Sequence, residues 1–153
     1  MKHLVLILFL FISTSAISQN SCEDEKAKKV VTDFFEAFHK QDSIALRKLA
    51  HPEIIMQSVS TSPTGQTKVI TEEYKNFLKS IVSIPATTKF EEKLYSFDVT
   101  INGSLATVIT PFSFYVHGNL SHCGVNSFSL VKMKEGWKIA HIIDTTIKEG
   151  CAD

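Results

Sequence analysis

Between Tyr95 and Ile147 the chain carries four strand-like segments in succession, and both alternating faces of these segments are apolar. A one-sided antiparallel sheet needs a single apolar face, so this pattern calls for cover on two sides. The segments 95–101, 105–117, 120–133 and 137–147 are divided by Asn102-Gly103, Gly118-Asn119 and Lys134-Glu135-Gly136. The first two dividers read as two-residue hairpin turns, the third as a three-residue loop ending in glycine. Strands of this length twist and curl strongly. A curled sheet preceded by helices encloses a pocket on one side and docks something on the other.

The helices come first. Ser21 with Asp24 resembles a capping box, and Ala27, Val30, Val31, Phe34, Phe35 and Phe38 recur at helical spacing, predicting a helix to about Lys40. Asp42 can cap a short second helix carrying Ile44, Leu46 and Leu49, which His51-Pro52 ends. Ile54 to Ser60 reads as a strand, Ser62-Pro63-Thr64-Gly65 as a turn, and Thr67 to Ile70 as the return strand. Thr71 then caps a third helix, with Tyr74, Phe77, Leu78, Ile81 and Val82 on one side and Pro85 as its stop.

A chain of 153 residues supports one domain with a real core. Its formal net charge is zero and the charges are scattered, which excludes an electrostatic footprint for nucleic acid. Residues 1–18 read as a signal peptide and 19–153 as a single mature domain. Lys2 and His3 form the basic start, Leu4 to Ile12 the apolar run, and Ala16 and Ser18 the small residues before the cut. The apolar run is nine residues, far short of the ~20 that span a bilayer. The expectation is an exported protein, periplasmic or secreted, with no membrane partner once the leader is cut.

Export permits disulfides among Cys22, Cys123 and Cys151. A Cys22–Cys151 staple joining the two ends and a pair of free terminal thiols both fit. Cys123, in mid-strand, reads as a small buried hydrophobe.

Hairpin geometry predicts the faces. Val99 should face Ala106, Tyr115 should face His122, Val131 should face Ile139, Ser129 should face His141, and Asn126 should face Asp144. One face then holds Tyr95, Phe97, Val99, Val108, Val131, Trp137, Ile139, His141 and Ile143, and should pack on the helices. The other runs through Lys132, Lys138, Leu130, Phe128, Ile109, Ile142 and Tyr115. That apolar patch is too large for water, and a symmetric partner sheet is its simplest cover, so a homodimer is expected. Pro111 marks a place where a bulge would exchange the faces beyond it.

Phe34-Phe35-Glu36-Ala37-Phe38, His51-Pro52-Glu53-Ile54, Gly124-Val125-Asn126-Ser127-Phe128 and Gly136-Trp137-Lys138-Ile139 carry a family likeness. With the element order, they make residues 27–147 resemble the nuclear transport factor 2-like superfamily. The chain looks most like its exported bacterial members grouped as lumazine-binding or polyketide cyclase-like proteins. The resemblance implies an α+β, cystatin-like fold: a cone-shaped curved antiparallel sheet packed on N-terminal helices, usually dimeric through its outer surface. Enzymes of the superfamily place His, Asp and Tyr inside the cone. The first helix offers phenylalanines where the ketosteroid isomerases use a tyrosine, so no catalytic role is carried over.

The expected function is binding of a small, partly apolar and aromatic organic ligand, with no cofactor. The pocket would join Phe34, Phe38, Met56, Tyr95 and Phe112 to His141, Ser129 and Thr110 as polar handles. His141 could bind the ligand or move a proton, or be a core histidine satisfied by neighbouring hydroxyls. His51, Tyr115, His122, Asn126 and Asp144 form a secondary set at the rim. His51 also reads as a helix-terminal residue, and the Asn126–Asp144 pair as either a ligand clamp or an outer-face contact. His117 and His122 lack a third ligand for zinc, so no metal is expected. The alternatives are a dehydratase- or isomerase-like enzyme using His141 or Asp144 as base, and an interaction module working through the outer sheet.

Overall fold

A computed structural model describes residues 15–62, 64–148, 150 and 151; for 15–21 it describes the backbone alone. The expected leader falls on residues 1–14, which lie outside the described residues, and on the first turn of the first helix. In chain order the elements are α1 (Ser15–His39), α2 (Ser43–Leu49), β1 (Ala50–Thr61), β2 (Thr67–Glu72), α3 (Tyr74–Ser83), β3 (Phe90–Leu94), β4 (Asp98–Asn102), β5 (Leu105–Val116), β6 (Asn119–Met133) and β7 (Gly136–Thr146).

Local chemistry accounts for the helix ends. Asp42 caps α2 as predicted, its Oδ1 accepting from the N–H groups of Ile44 and Ala45 at 3.1 and 2.9 Å. Thr71 does not cap α3. The β2 strand runs through it to Glu72, and α3 starts after Glu73 with no side-chain cap. Gln41 instead ties down the far end of α3, donating to the carbonyls of Ile81 and Ile84 at 3.1 and 3.0 Å.

The seven strands form one curved, unclosed sheet in the order β2-β1-β7-β6-β5-β3, with β4 also on β5. It is mixed rather than antiparallel throughout, because β1 lies parallel to β7. The helices cover its inner face. Phe128 of β6 is fully buried, and its ring meets Phe34 and Phe35 of α1 at centroid distances of 5.6 and 5.8 Å. Glu23 pins the start of α1 to the β6–β7 hairpin, accepting from Lys132 at 2.6 Å and from the Trp137 indole at 3.2 Å.

Three irregularities decide which side chains face inward. In β7, Leu130 pairs with Ile139 but Ser129 pairs with His141, so Ala140 is an extra residue. Trp137 and Ile139 therefore point inward as expected, while His141 and Ile143 are turned to the outer face. In β6, Tyr115 pairs with Leu120 and Phe114 with His122, leaving Ser121 as the bulge. Pro111 keeps its regular place in β5, opposite Val125. The break beside it falls across the ladder, where β3 ends at Leu94 and β4 begins at Asp98. The Pro111 carbonyl accepts from the Tyr95 N–H on that side at 3.1 Å. The N–H that proline lacks would have pointed the same way, so the neighbouring strand has no acceptor's partner to continue its ladder.

The faces assigned from sequence are thus partly exchanged. Phe128, Leu130 and Ile142, expected outside, are core residues with at most 3% exposure. Val131, His141 and Ile143 lie outside with Ser129. Tyr95 is also outside, donating to Ser113 Oγ at 3.0 Å. The middle of the outer face is Thr107, Ser129 and His141 in register, with Gln57 Oε1 accepting from His141 Nε2 at 3.1 Å. It is more polar than the patch on which the homodimer expectation rested.

Cys123 is not a lone buried thiol. It is bonded to Cys151, with Cα atoms 5.6 Å apart, and Cys22 is the free, exposed cysteine. The tail makes the pairing possible: Ile147 and Cys123 exchange main-chain hydrogen bonds of 2.8 and 3.0 Å, and Gly150, at φ +76°, turns the chain back.

Candidate functional site

One end of the inner face carries a group of polar side chains set among aromatic rings. Phe90, Glu92 and Leu94 share the inward phase of β3, and Glu92 sits opposite Phe114. Asn126 of β6, 5% exposed, donates to Glu92 Oε1 at 2.6 Å. Asp144 is paired with Asn126 across the β6–β7 ladder and accepts from Ser58 at 2.6 Å and Thr146 at 3.3 Å. His122 stacks on Phe114 with centroids 4.9 Å apart and meets Phe112 edge-on at 5.9 Å. Thr110 is fully buried beneath them.

Burial pushes the Glu92 carboxyl up to about 7; the Asn126 bond pulls it down, and the nearby charge of Asp144 adds to the rise. Burial also lowers the His122 imidazole, with Asp144 working against that shift. On the other side of Glu92, its main-chain N–H donates to His39 Nε2 at 2.8 Å. That bond needs an unprotonated acceptor, and burial holds the His39 imidazole below its ordinary range. The arrangement can therefore offer a carboxyl that gains and loses a proton near neutrality, a second carboxylate, an amide and an imidazole.

Of the pocket residues expected from sequence, Thr110, Phe34, Phe38, Met56 and Phe112 belong to the inner side, as do His122, Asn126 and Asp144 from the rim set. His141, Ser129, Tyr95 and Tyr115 do not: they lie on the outer face, His141 because of the extra Ala140 before it. His51 lies elsewhere, in an open groove of ≈ 580 Å³ between α2, β1 and the start of α3, its Nδ1 accepting from the Glu53 N–H at 3.2 Å. Glu92 and His39 were missed. The signal for Glu92 was present, since 90–94 alternates and its glutamate falls in the apolar phase with Phe90 and Leu94. Among the described residues, no three His, Cys, Asp or Glu side chains are grouped as a metal ion would require.

The comparisons with known proteins agree on the architecture. Residues 27–143 match the model of the SnoaL-like domain. The chain belongs to the SnoaL-like domain family. Its fold is the cystatin-like, nuclear transport factor 2-like fold. A protein of unknown function from Mycobacterium tuberculosis superposes with a TM-score of 0.70 at 10% identity, over 91% of this chain and 80% of that one. A nuclear transport factor 2-like protein with a cystatin-like fold from Novosphingobium aromaticivorans gives 0.65 at 15% identity, over 90% of each chain. A candidate dehydratase of the same superfamily from Streptomyces avermitilis gives 0.62 at 18% identity, over 84% of this chain and 99% of that one. At these identities the likeness is one of fold. No functionally curated protein matches the chain. Among the described residues no helix is long and apolar enough to cross a membrane.

Proposed function

We propose that this SnoaL-like chain binds a small, partly aromatic organic molecule at the end of its inner face, with Glu92 as the group that exchanges a proton with it. The observation that carries this reading is the hydrogen-bonded set Glu92–Asn126 beside Asp144–Ser58, held against the rings of Phe112, Phe114 and His122. Glu92, Asp144 and His122 are only partly buried, so a ligand can reach them. Aromatic walls supply affinity and the polar groups supply orientation. The grouping with exported lumazine-binding or cyclase-like relatives fits such a lining. Export is supported by the leader-like 1–18 and by the Cys123–Cys151 bond, a linkage that persists in oxidising compartments.

The enzymatic reading is favoured by one feature, a carboxyl with a pKa of about 7 next to a second carboxylate. On that reading Glu92, not His141, takes the base's role and Asn126 orients it. Carbon-13 NMR of glutamate-labelled protein tests both. Adding 2-naphthol or 2-tetralone should move the Glu92 titration midpoint and the Phe112 and Phe114 ring signals. If neither probe moves them, this site is not the binding site. In D2O, the α-protons of 2-tetralone should exchange faster with the native chain than with Glu92→Gln; equal rates leave a binding protein without proton transfer.

A further inference from the structure

The two edges of the sheet are finished differently. At one, β3 lies beside α1, and His39 takes up the main-chain N–H that Glu92 directs away from the sheet. At the other, β2 pairs with β1 alone among the described residues, and all six of its residues are exposed. Val69 and Ile70, on opposite faces, are 58% and 56% exposed. An edge strand without proline, glycine or a bulge is an open template for another strand.

Its pairing with β1 shows which groups are on offer. Thr61 pairs with Thr67, and one step further the Gln66 carbonyl accepts from the Ser62 N–H at 2.9 Å. Main-chain groups of Gln66, Lys68, Ile70 and Glu72 therefore point at β1, and those of Thr67, Val69 and Thr71 point outward. An antiparallel partner must be met through that outward set. Read against itself about Ile70, the strand places Val69 opposite Thr71, and each such pair exchanges both main-chain hydrogen bonds. The same register sets Ile70 on Ile70 and Lys68 opposite Glu72 at both ends. Centring on Val69 instead would set Lys68 against Ile70, and centring on Thr71 would set Ile70 against Glu72. Neither Lys68 nor Glu72 makes an ion pair among the described residues.

We propose that a second copy of this chain joins at the β2 edge, antiparallel about Ile70, so that two sheets continue as one. Every register centred on a residue of β2 meets the outward main-chain groups, but the one about Ile70 alone sets Lys68 opposite Glu72, and that charge complementarity selects this occupant over an unrelated strand. The contact uses no residue of the ligand site, although Ser58 of that site is the β1 neighbour of Ile70.

Sedimentation velocity over a range of concentrations tests it, with circular dichroism to check folding. The native chain should dimerise. Lys68→Glu or Glu72→Lys puts like charges opposite each other at both ends and should weaken association about tenfold. The double variant Lys68→Glu/Glu72→Lys should restore it. Val69→Pro removes an N–H that the β1–β2 ladder does not use, and should give a folded monomer. A native chain that stays monomeric up to its solubility limit overturns the proposal. So do single reversals that associate like the native chain, or a dimer that Ile109→Asp on the outer face disperses while the reversals leave it intact.

Discussion

Glu92 is a carboxyl whose environment works against its charge. In the unfolded chain it ionises near 4.5, whereas in the fold it does so at about 7. Between those values the unfolded state has already lost the proton that the folded state keeps, so its contribution to stability falls as pH rises through that window and stays low above it. The difference amounts to at most about 3 kcal/mol. Glu92→Gln should therefore raise the urea midpoint at pH 8 relative to the native chain and change it little at pH 4.5. A parallel offset at both pH values would show that the carboxyl is not held neutral by its surroundings. The residue was readable in principle from its place between Phe90 and Leu94 in an alternating segment. The four-strand pattern legible in the sequence begins at Tyr95, beyond this short strand, which is why Glu92 does not stand out there.

At the level of elements, turns and bulges separate what could be read from what could not. Asn102-Gly103 marks a hairpin, but the loop residues are Gly103 and Ser104, with Asn102 paired to Leu105. The second turn is His117-Gly118, both at positive φ, rather than Gly118-Asn119. Each signal located the hairpin and missed the register by a residue or two. Ser121 and Ala140, the extra residues, look like ordinary strand residues, and a one-residue slip moves every later side chain to the other face. His141 was placed in the pocket for that reason alone. Gly124 is the opposite case, a small residue with a visible purpose. A Cβ built there would meet the Thr145 carbonyl oxygen at 1.8 Å and the Phe112 ring at 3.0 Å. Gly124→Ala should lower stability by about 3 kcal/mol, measured by chemical denaturation, because main chain must move to admit it.

For the molecule as a whole, helix-period phenylalanines followed by alternating strands were enough to announce an α+β cup, since those patterns depend on composition and spacing rather than register. The inside and outside of the cup depend on register, and there the expectation failed at Phe128. That ring is fully buried, reaching from β6 to meet the Phe34 and Phe35 rings of α1 edge-on. Phe128→Ala should cost about 3–5 kcal/mol in thermal or chemical unfolding, whereas a surface position would change little. The dimer expected through the outer face drew its apolar weight from Phe128, Leu130 and Ile142, which are not available to a partner.

The Cys123–Cys151 bond fastens the end of the chain to the outer surface of the second-last strand, and its presence depends on where the polypeptide matures. Protein gathered from a reducing cytosol and protein recovered from an oxidising medium would share every amino acid and still be two chemical species, one with a latched hem and one with a loose one. Any comparison of their behaviour has to begin by weighing them for the two hydrogens that separate them.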